Sequence, residues 1–178
     1  MPKTFHLADA SRETIAQRME AEDWGTAVLK PVSSQNGHGI QKLDHAERAR
    51  WSLESMTGEV LLQEFQADIG ALGETTMTFI DGAFSHAVRR LLKPGEWRAN
   101  PQYGITYERV AVSREVIDAA QSYVDFLPQT PLYARVDGLV RSSGFTLMEL
   151  ELIDPYLYLE FAPGSADVMA RSVLKRLR

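Results

Sequence analysis

Two short stretches near the C-terminal end hold the densest chemistry in the chain, Y-A-R-V-D-G-L-V (133–140) and M-E-L-E-L (148–152). In an extended strand, residues two apart share a face. Glu149 and Glu151 therefore point one way while Met148, Leu150 and Leu152 point the other. Arg135 and Asp137 likewise share a face, opposite Ala134, Val136 and Gly138. If these strands pair through the turn Ser142-Ser143-Gly144, one sheet face is apolar and the other gathers three carboxylates and an arginine. Carboxylates this close repel one another unless a divalent cation or a proton relieves them. One or two hard carboxylate ligands completed by substrate phosphates describe a Mg²⁺ site on a nucleotide. The same pattern describes a solvated hairpin face in which Arg135 balances the acids. The residues alone do not choose between the two.

Cationic groups occur in two other places. Lys30 ends an apolar run just before Ser33-Ser34-Gln35-Asn36-Gly37-His38-Gly39. A glycine loop lets backbone N–H groups approach a phosphate, and a neighbouring lysine adds a point charge. No G-K-[ST] follows the glycines, so this is not a Walker A loop, and an ordinary surface turn has the same composition. Arg89 and Arg90 end a second run, with Lys93 and Arg98 in the loop beyond. Four cations so close together could clamp phosphate or carboxylate groups. A strand end charged to discourage edge pairing would look alike. Gln63-Glu64-Phe65 closes a further apolar run, where a strand end can offer backbone donors and acceptors to a planar base or simply finish a core strand.

Several classes of chemistry are set aside. The chain has no cysteine, which removes disulfides, thiolate metal sites and cysteine nucleophiles and suits a reducing cytoplasm. His6, His38, His45 and His86 lack the spacing of a zinc site and read as loop or surface residues, with His38 the one candidate for a ligand contact. Ser33, Ser34 and Ser165 lack G-x-S-x-G context. Trp24, Trp51 and Trp97 read as packing residues. A net charge of −5 gives no general attraction to nucleic acid or an anionic membrane. No apolar run approaches the ~20 residues that span a bilayer, and the start, MPKTFHLADASRETIAQ, has no secretory h-region.

The elements that must position these groups follow from periodicity. The pattern predicts helices over 8–20 (Ser11 a candidate cap), 46–56, 115–126 and 166–177. Strands are predicted over 26–30, 60–65, 75–80, 83–91, 132–140 and 145–152. Asp81-Gly82 is a hairpin turn signal. Residues 93–104, rich in Pro, Gly and Asn, read as an exposed loop. Segregated helices and strands joined by short turns favour an α+β fold with antiparallel sheet. The composition shift near 63–70 divides the chain into 1–66 and 67–178.

Each signal is weak alone, but their order is informative. A strand ending in lysine, a Gly-rich loop, a helix and a Q-E-F strand are followed by an acidic residue, a hairpin, an arginine, a D-bearing strand and an E-x-E strand. In that order the chain resembles the ATP-grasp superfamily over about residues 2–163, and is most similar to glutathione synthetase-like and ribosomal-protein glutamate ligase-like carboxylate–amine ligases. The resemblance implies two lobes of mainly antiparallel sheet with ATP in the cleft between them. It implies that Lys30 contacts phosphates beneath a loop including Ser34, Gly37 and Gly39, and that Gln63, Glu64 and Phe65 form an adenine hinge. Asp68 or Glu74 would approach the nucleoside. Arg90 and Arg89 would reach the transferring phosphoryl group, Arg98 and Asn100 would face substrate, and Asp137, Glu149 and Glu151 would ligate Mg²⁺. The implied activity is ATP-dependent ligation of small-molecule carboxylates to amines through an acyl phosphate. The alternative is a non-catalytic nucleotide-binding or docking module. Two departures stand out. Glu151 occupies a position where the superfamily usually has Asn. The chain also starts where relatives pass from an N-terminal domain into the ATP-binding lobes, which implies either a truncated product or a homodimer or partner chain that supplies that surface.

Overall fold

The computed structural model describes residues 1–34, 37–54 and 56–177. In chain order the elements are β1 (Thr4–Leu7), α1 (Arg12–Ala21), β2 (Thr26–Pro31), β3 (Gln41–Asp44), β4 (Val60–Glu64), α2 (Ile69–Leu72), β5 (Glu74–Ile80), β6 (Ala83–Leu91), β7 (Thr106–Val110), α3 (Arg114–Asp125), β8 (Tyr133–Arg141), β9 (Gly144–Glu151) and α4 (Ser165–Arg176). They form two compact units, Pro2–Ala67 and Asp68 onward. No helix among the described residues is long and apolar enough to cross a membrane.

The first unit is a four-stranded sheet in the order β1-β4-β2-β3, with every pairing antiparallel. One face is apolar: Ala27, Leu29, Leu43 and Leu62 pack with Ile15 and Met19 of α1 and with Trp51 and Met56. Ser11 caps α1 by accepting from Thr14 N–H, as its position before the apolar stripe suggested. The helix starts at Arg12, where the Ser11 cap sets its first turn, rather than at residue 8, and residues 4–7 before it form β1 by pairing with β4. The predicted helix over 46–56 is corrected to a 3-10 segment at His45–Arg50 with no buried residue. Beyond it the backbone extends so that Trp51 enters the core and its indole N–H donates to the Asp44 carbonyl. Burial of one large ring outweighs the modest helix propensity of this segment.

The second unit is a five-stranded antiparallel sheet in the order β7-β6-β5-β8-β9. Its core face joins Met77, Phe79, Ala87, Ala134, Val136 and Leu147 to Val116, Ala120 and Val124 of α3. The β5–β6 turn has Asp81 at φ 52 and Gly82 at φ 78, the two left-handed residues of a type I′ hairpin. Every residue of the central strand β5 is buried, so both faces of this sheet are covered. Gly138 marks a close approach: a Cβ there would lie 2.4 Å from Phe145 Cζ and 2.4 Å from the Thr146 carbonyl. Immediately before it, Asp137 pairs with Glu149 but Gly138 with Leu147, so Met148 is an extra residue. That bulge restores Leu147 to the core face and breaks the simple alternation that grouped Met148 with Leu150.

Candidate functional site

Directly paired residues share a face, so register alone assembles the polar site of the second unit. One row runs Val88–Thr76–Asp137–Glu149, a second His86–Thr78–Arg135–Glu151, and Glu74 stands opposite Arg90. This face lies opposite the α3 core. Carboxylate oxygens of Asp137, Glu149 and Glu151 come within 4.8 Å of one another. The three acids singled out in the sequence are therefore brought together by pairing of β8 with β9.

Two guanidiniums are threaded through them. Arg90, 5% exposed, donates to Asp137 at 2.5 Å, pairs with Glu74 at 2.7 Å, and donates from Nη1 to the Ala99 carbonyl at 3.2 Å. Its Nε is buried with no hydrogen-bond partner among the described residues. Arg135 donates from Nε and Nη2 to Asp137, contacts Glu151, and donates to the Tyr156 carbonyl. The Thr76 hydroxyl donates to Asp137 at 2.9 Å. Burial opposes ionisation of Asp137, but Arg90, Arg135 and these hydrogen bonds outweigh it and hold the carboxyl below its usual range. Glu74 and Glu151 go the other way. Burial, with repulsion from the neighbouring acids, pushes each to about 7 despite the arginines. Four carboxylates face two guanidiniums, a surplus of negative charge that a divalent cation of oxygen preference would relieve.

The segment after β9 covers part of this face. Thr78 donates to the Leu157 carbonyl at 3.0 Å, and His86 Nε2 lies 2.9 Å from the same oxygen. Tyr158 is 4% exposed at φ 55, its ring 5.5 Å from that of Tyr107 and 5.9 Å from the Arg135 guanidinium. The expectation that all four histidines lie in loops or on the surface is corrected here. His86 sits on β6 and is 3% exposed, and burial lowers its pKa.

Other candidates fall elsewhere. Arg89 lies on the opposite face from Arg90, 3.5 Å from Glu108. Asp68 is 43% exposed and receives Nε and Nη2 of Arg141 at 2.6 and 2.7 Å, hydrogen bonds that hold its carboxyl below its usual range. The 93–104 loop folds back more than expected: Ala99 is buried and Pro101–Tyr103 forms a 3-10 turn preceded by Asn100. Within it Glu96 grips Arg98 in two hydrogen bonds of 2.9 Å and accepts from the Trp97 and Arg98 amides. The hydrogen bonds from Arg98 above all, with those amides, depress the Glu96 carboxyl to about 2. The Arg98 guanidinium lies 3.6 Å from the Tyr103 ring centre.

In the first unit, Lys30 of β2 pairs with Leu61, and Gln63 of β4 with Val28, both on the face away from the core. The Gln63 amide donates to the Thr4 hydroxyl at 2.8 Å, and the Glu64 amide to the Lys3 carbonyl. Phe65 receives the Lys42 ammonium 4.1 Å above its ring. Ser34 is exposed, and Gly37 and Gly39 have φ of 68 and 74; Gln35 and Asn36 lie outside the described residues. Sequence reasoning set Arg135 beside Asp137 by R-x-D spacing on one strand but gave it no role in the site. It also passed over Thr76, Tyr158 and Lys42. Thr76 is visible only once the hairpin register is known, and nothing in the pattern flags Tyr158.

The architecture matches that of known ligases. The crystal structure of D-cycloserine synthetase DcsG aligns with 100% of this chain and 65% of its own length, with a TM-score of 0.82 at 21% identity. D-alanine–D-alanine ligase from Bacillus anthracis aligns with 98% of the chain and 62% of its own, at 0.67 and 18%. At those identities the likeness defines the fold: two antiparallel sheets with helices, as the strand order predicted. The model of the prokaryotic glutathione synthetase ATP-grasp domain matches residues 1–157, and the chain belongs to that family. In sequence it is 28% identical over 184 residues to the cycloserine biosynthesis protein DcsG of Streptomyces lavendulae, a match that covers 95% of the chain and 60% of that protein. The chain thus spans less than two thirds of this relative's length.

Proposed function

We propose that this chain is the ATP-binding part of an ATP-dependent carboxylate–amine ligase that works through an acyl phosphate. Within the ATP-grasp family, the observation that carries the reading is the convergence of Asp137, Glu149 and Glu151 oxygens within 4.8 Å. The donor set fits Mg²⁺, being all oxygen with a surplus of negative charge, and the buried Arg90 Nε, which has no acceptor among the described residues, suits an anion such as a phosphate beside it.

Asp137, Glu149 and Glu151 would hold Mg²⁺, whose charge offsets that of the phosphates. Lys30 and the loop of Ser34, Gly37 and Gly39 bind phosphate oxygens, and the Gln63–Glu64–Phe65 strand end meets adenine. Asp68 takes the nucleoside role: both acids are paired with an arginine, but the Asp68 side chain is exposed whereas Glu74 is buried inside the sheet. Arg90, aimed by Glu74 and Asp137, stabilises charge on the transferring phosphoryl group, and Arg98 with Asn100 orients the substrate carboxylate. That carboxylate attacks the γ-phosphorus and ADP leaves. An amine then attacks the acyl carbon, loses a proton and expels phosphate. Positioning and charge stabilisation supply the catalysis, with no protein nucleophile.

The test is ADP and phosphate release from Mg²⁺-ATP with a panel of amino acids as carboxylates and hydroxylamine as a general nucleophile. A ligase gives hydroxamate and ADP in equal amounts with a matching carboxylate. A chain that binds Mg²⁺-ATP but shows no carboxylate-stimulated turnover is a binding module instead.

A further inference from the structure

The first unit carries a cation that the reading above leaves without a task. Register places Thr4, Gln63, Val28 and Lys42 in one row across β1, β4, β2 and β3. The row lies on the face away from the core, because the alternate residues Ala27, Leu29, Leu43 and Leu62 form that core. Lys30 is on the same face two residues along β2, diagonal to Lys42 on the neighbouring strand, within reach of a long side chain. Neither lysine has a carboxylate partner among the described residues, whereas Lys3, Arg18 and Arg50 of the same unit all do. Two like charges on adjacent strands are unfavourable unless an anion lies between them. The Lys42 ammonium rests instead 4.1 Å from the centre of the Phe65 ring, a weak contact at an exposed site that a phosphate oxygen outcompetes.

We infer that Lys42 is a nucleotide-binding residue that pairs with the α-phosphate. Lys30 stands at the end of β2 next to the glycine loop, and Phe65 at the strand end given to the base. Lys42 lies between them and touches Phe65, which is where the α-phosphate of a nucleotide extended along this face falls. The assignment rests on the nucleotide reading above, and its test separates the two.

Dissociation constants for Mg²⁺-ATP, Mg²⁺-ADP and AMP are measured calorimetrically with the whole chain, the Lys42→Gln variant and the Lys42→Arg variant. Lys42→Gln weakens all three nucleotides about tenfold and flattens the salt dependence, and Lys42→Arg restores most of the loss. Equal binding by the unchanged chain and Lys42→Gln overturns the assignment and leaves the nucleotide reading standing. Loss for ATP and ADP but not AMP overturns the α-phosphate placement. An unchanged chain that binds none of the three overturns both readings.

Discussion

Asp137 and Glu149 have the same proposed task and very different structural burdens. Asp137 is fully buried and is the common acceptor for Arg90, Arg135 and Thr76. Removing it leaves two buried guanidiniums without their main counter-charge, which costs about 3–5 kcal/mol by the usual penalty for breaking a buried pair. Glu149 is exposed and paired across the strand with Asp137. Glu149→Gln should therefore change stability by no more than about 0.5 kcal/mol while weakening Mg²⁺-ATP binding. Urea melts and Mg²⁺ titrations of Asp137→Ala and Glu149→Gln check both halves. If Glu149→Gln binds Mg²⁺-ATP as tightly as the unchanged chain, Glu149 is not a ligand. If Asp137→Ala melts unaltered, the ion-pair network carries no net stability.

Among the elements, the segment that follows β9 is held by Thr78, by Arg135 and by one titratable imidazole. The Leu157 carbonyl can only accept, so His86 Nε2 carries the proton, and Nδ1 accepts from the Ser85 hydroxyl at 2.9 Å. This neutral tautomer is what burial enforces, and it lowers the pKa from the ordinary 6.5. Below 6.5 the unfolded chain takes up a proton that folded His86 refuses, so stability falls as the pH drops towards the folded value. Glu74 and Glu151, raised from 4.5 to about 7, act in the opposite sense over their own interval. The difference between chains isolates the histidine. His86→Gln keeps a donor for Leu157 but no titration, so it should lose less stability than the unchanged chain on acidification below 6.5. Parallel melting curves across that range would rule out His86 as the source. Residues of this kind were the illegible part of the sequence. The Asp81-Gly82 hairpin, the Arg135/Asp137 and Glu149/Glu151 alternation and the Ser11 cap could all be read directly, because each is a local signal. β1, β3 and β7 are strands of four or five residues that exist only through their partners. Met148 looked like an inward residue because a bulge leaves no trace in alternation. The burial of His86 follows from a carbonyl seventy-one residues away.

For the molecule as a whole, charge sets the conditions of binding. A chain of net charge −5 repels a polyanion at long range, so the proposed affinity for ATP would rest on local groups, the Lys30 cation and a metal held by the carboxylates. Ligand that binds only the folded chain stabilises it by mass action, about 2.7 kcal/mol at a hundredfold excess over Kd. The melting temperature should therefore rise with Mg²⁺-ATP and fall back when EDTA removes the metal. ATP without metal adds its charge to a face that already holds four carboxylates against two guanidiniums, and should give little or no shift. Scanning calorimetry with ATP, Mg²⁺ and both together makes the comparison. A shift of equal size with metal-free ATP would place the nucleotide away from Asp137, Glu149 and Glu151, and a shift with Mg²⁺ alone would show that the acid cluster holds the ion without any phosphate to complete its shell.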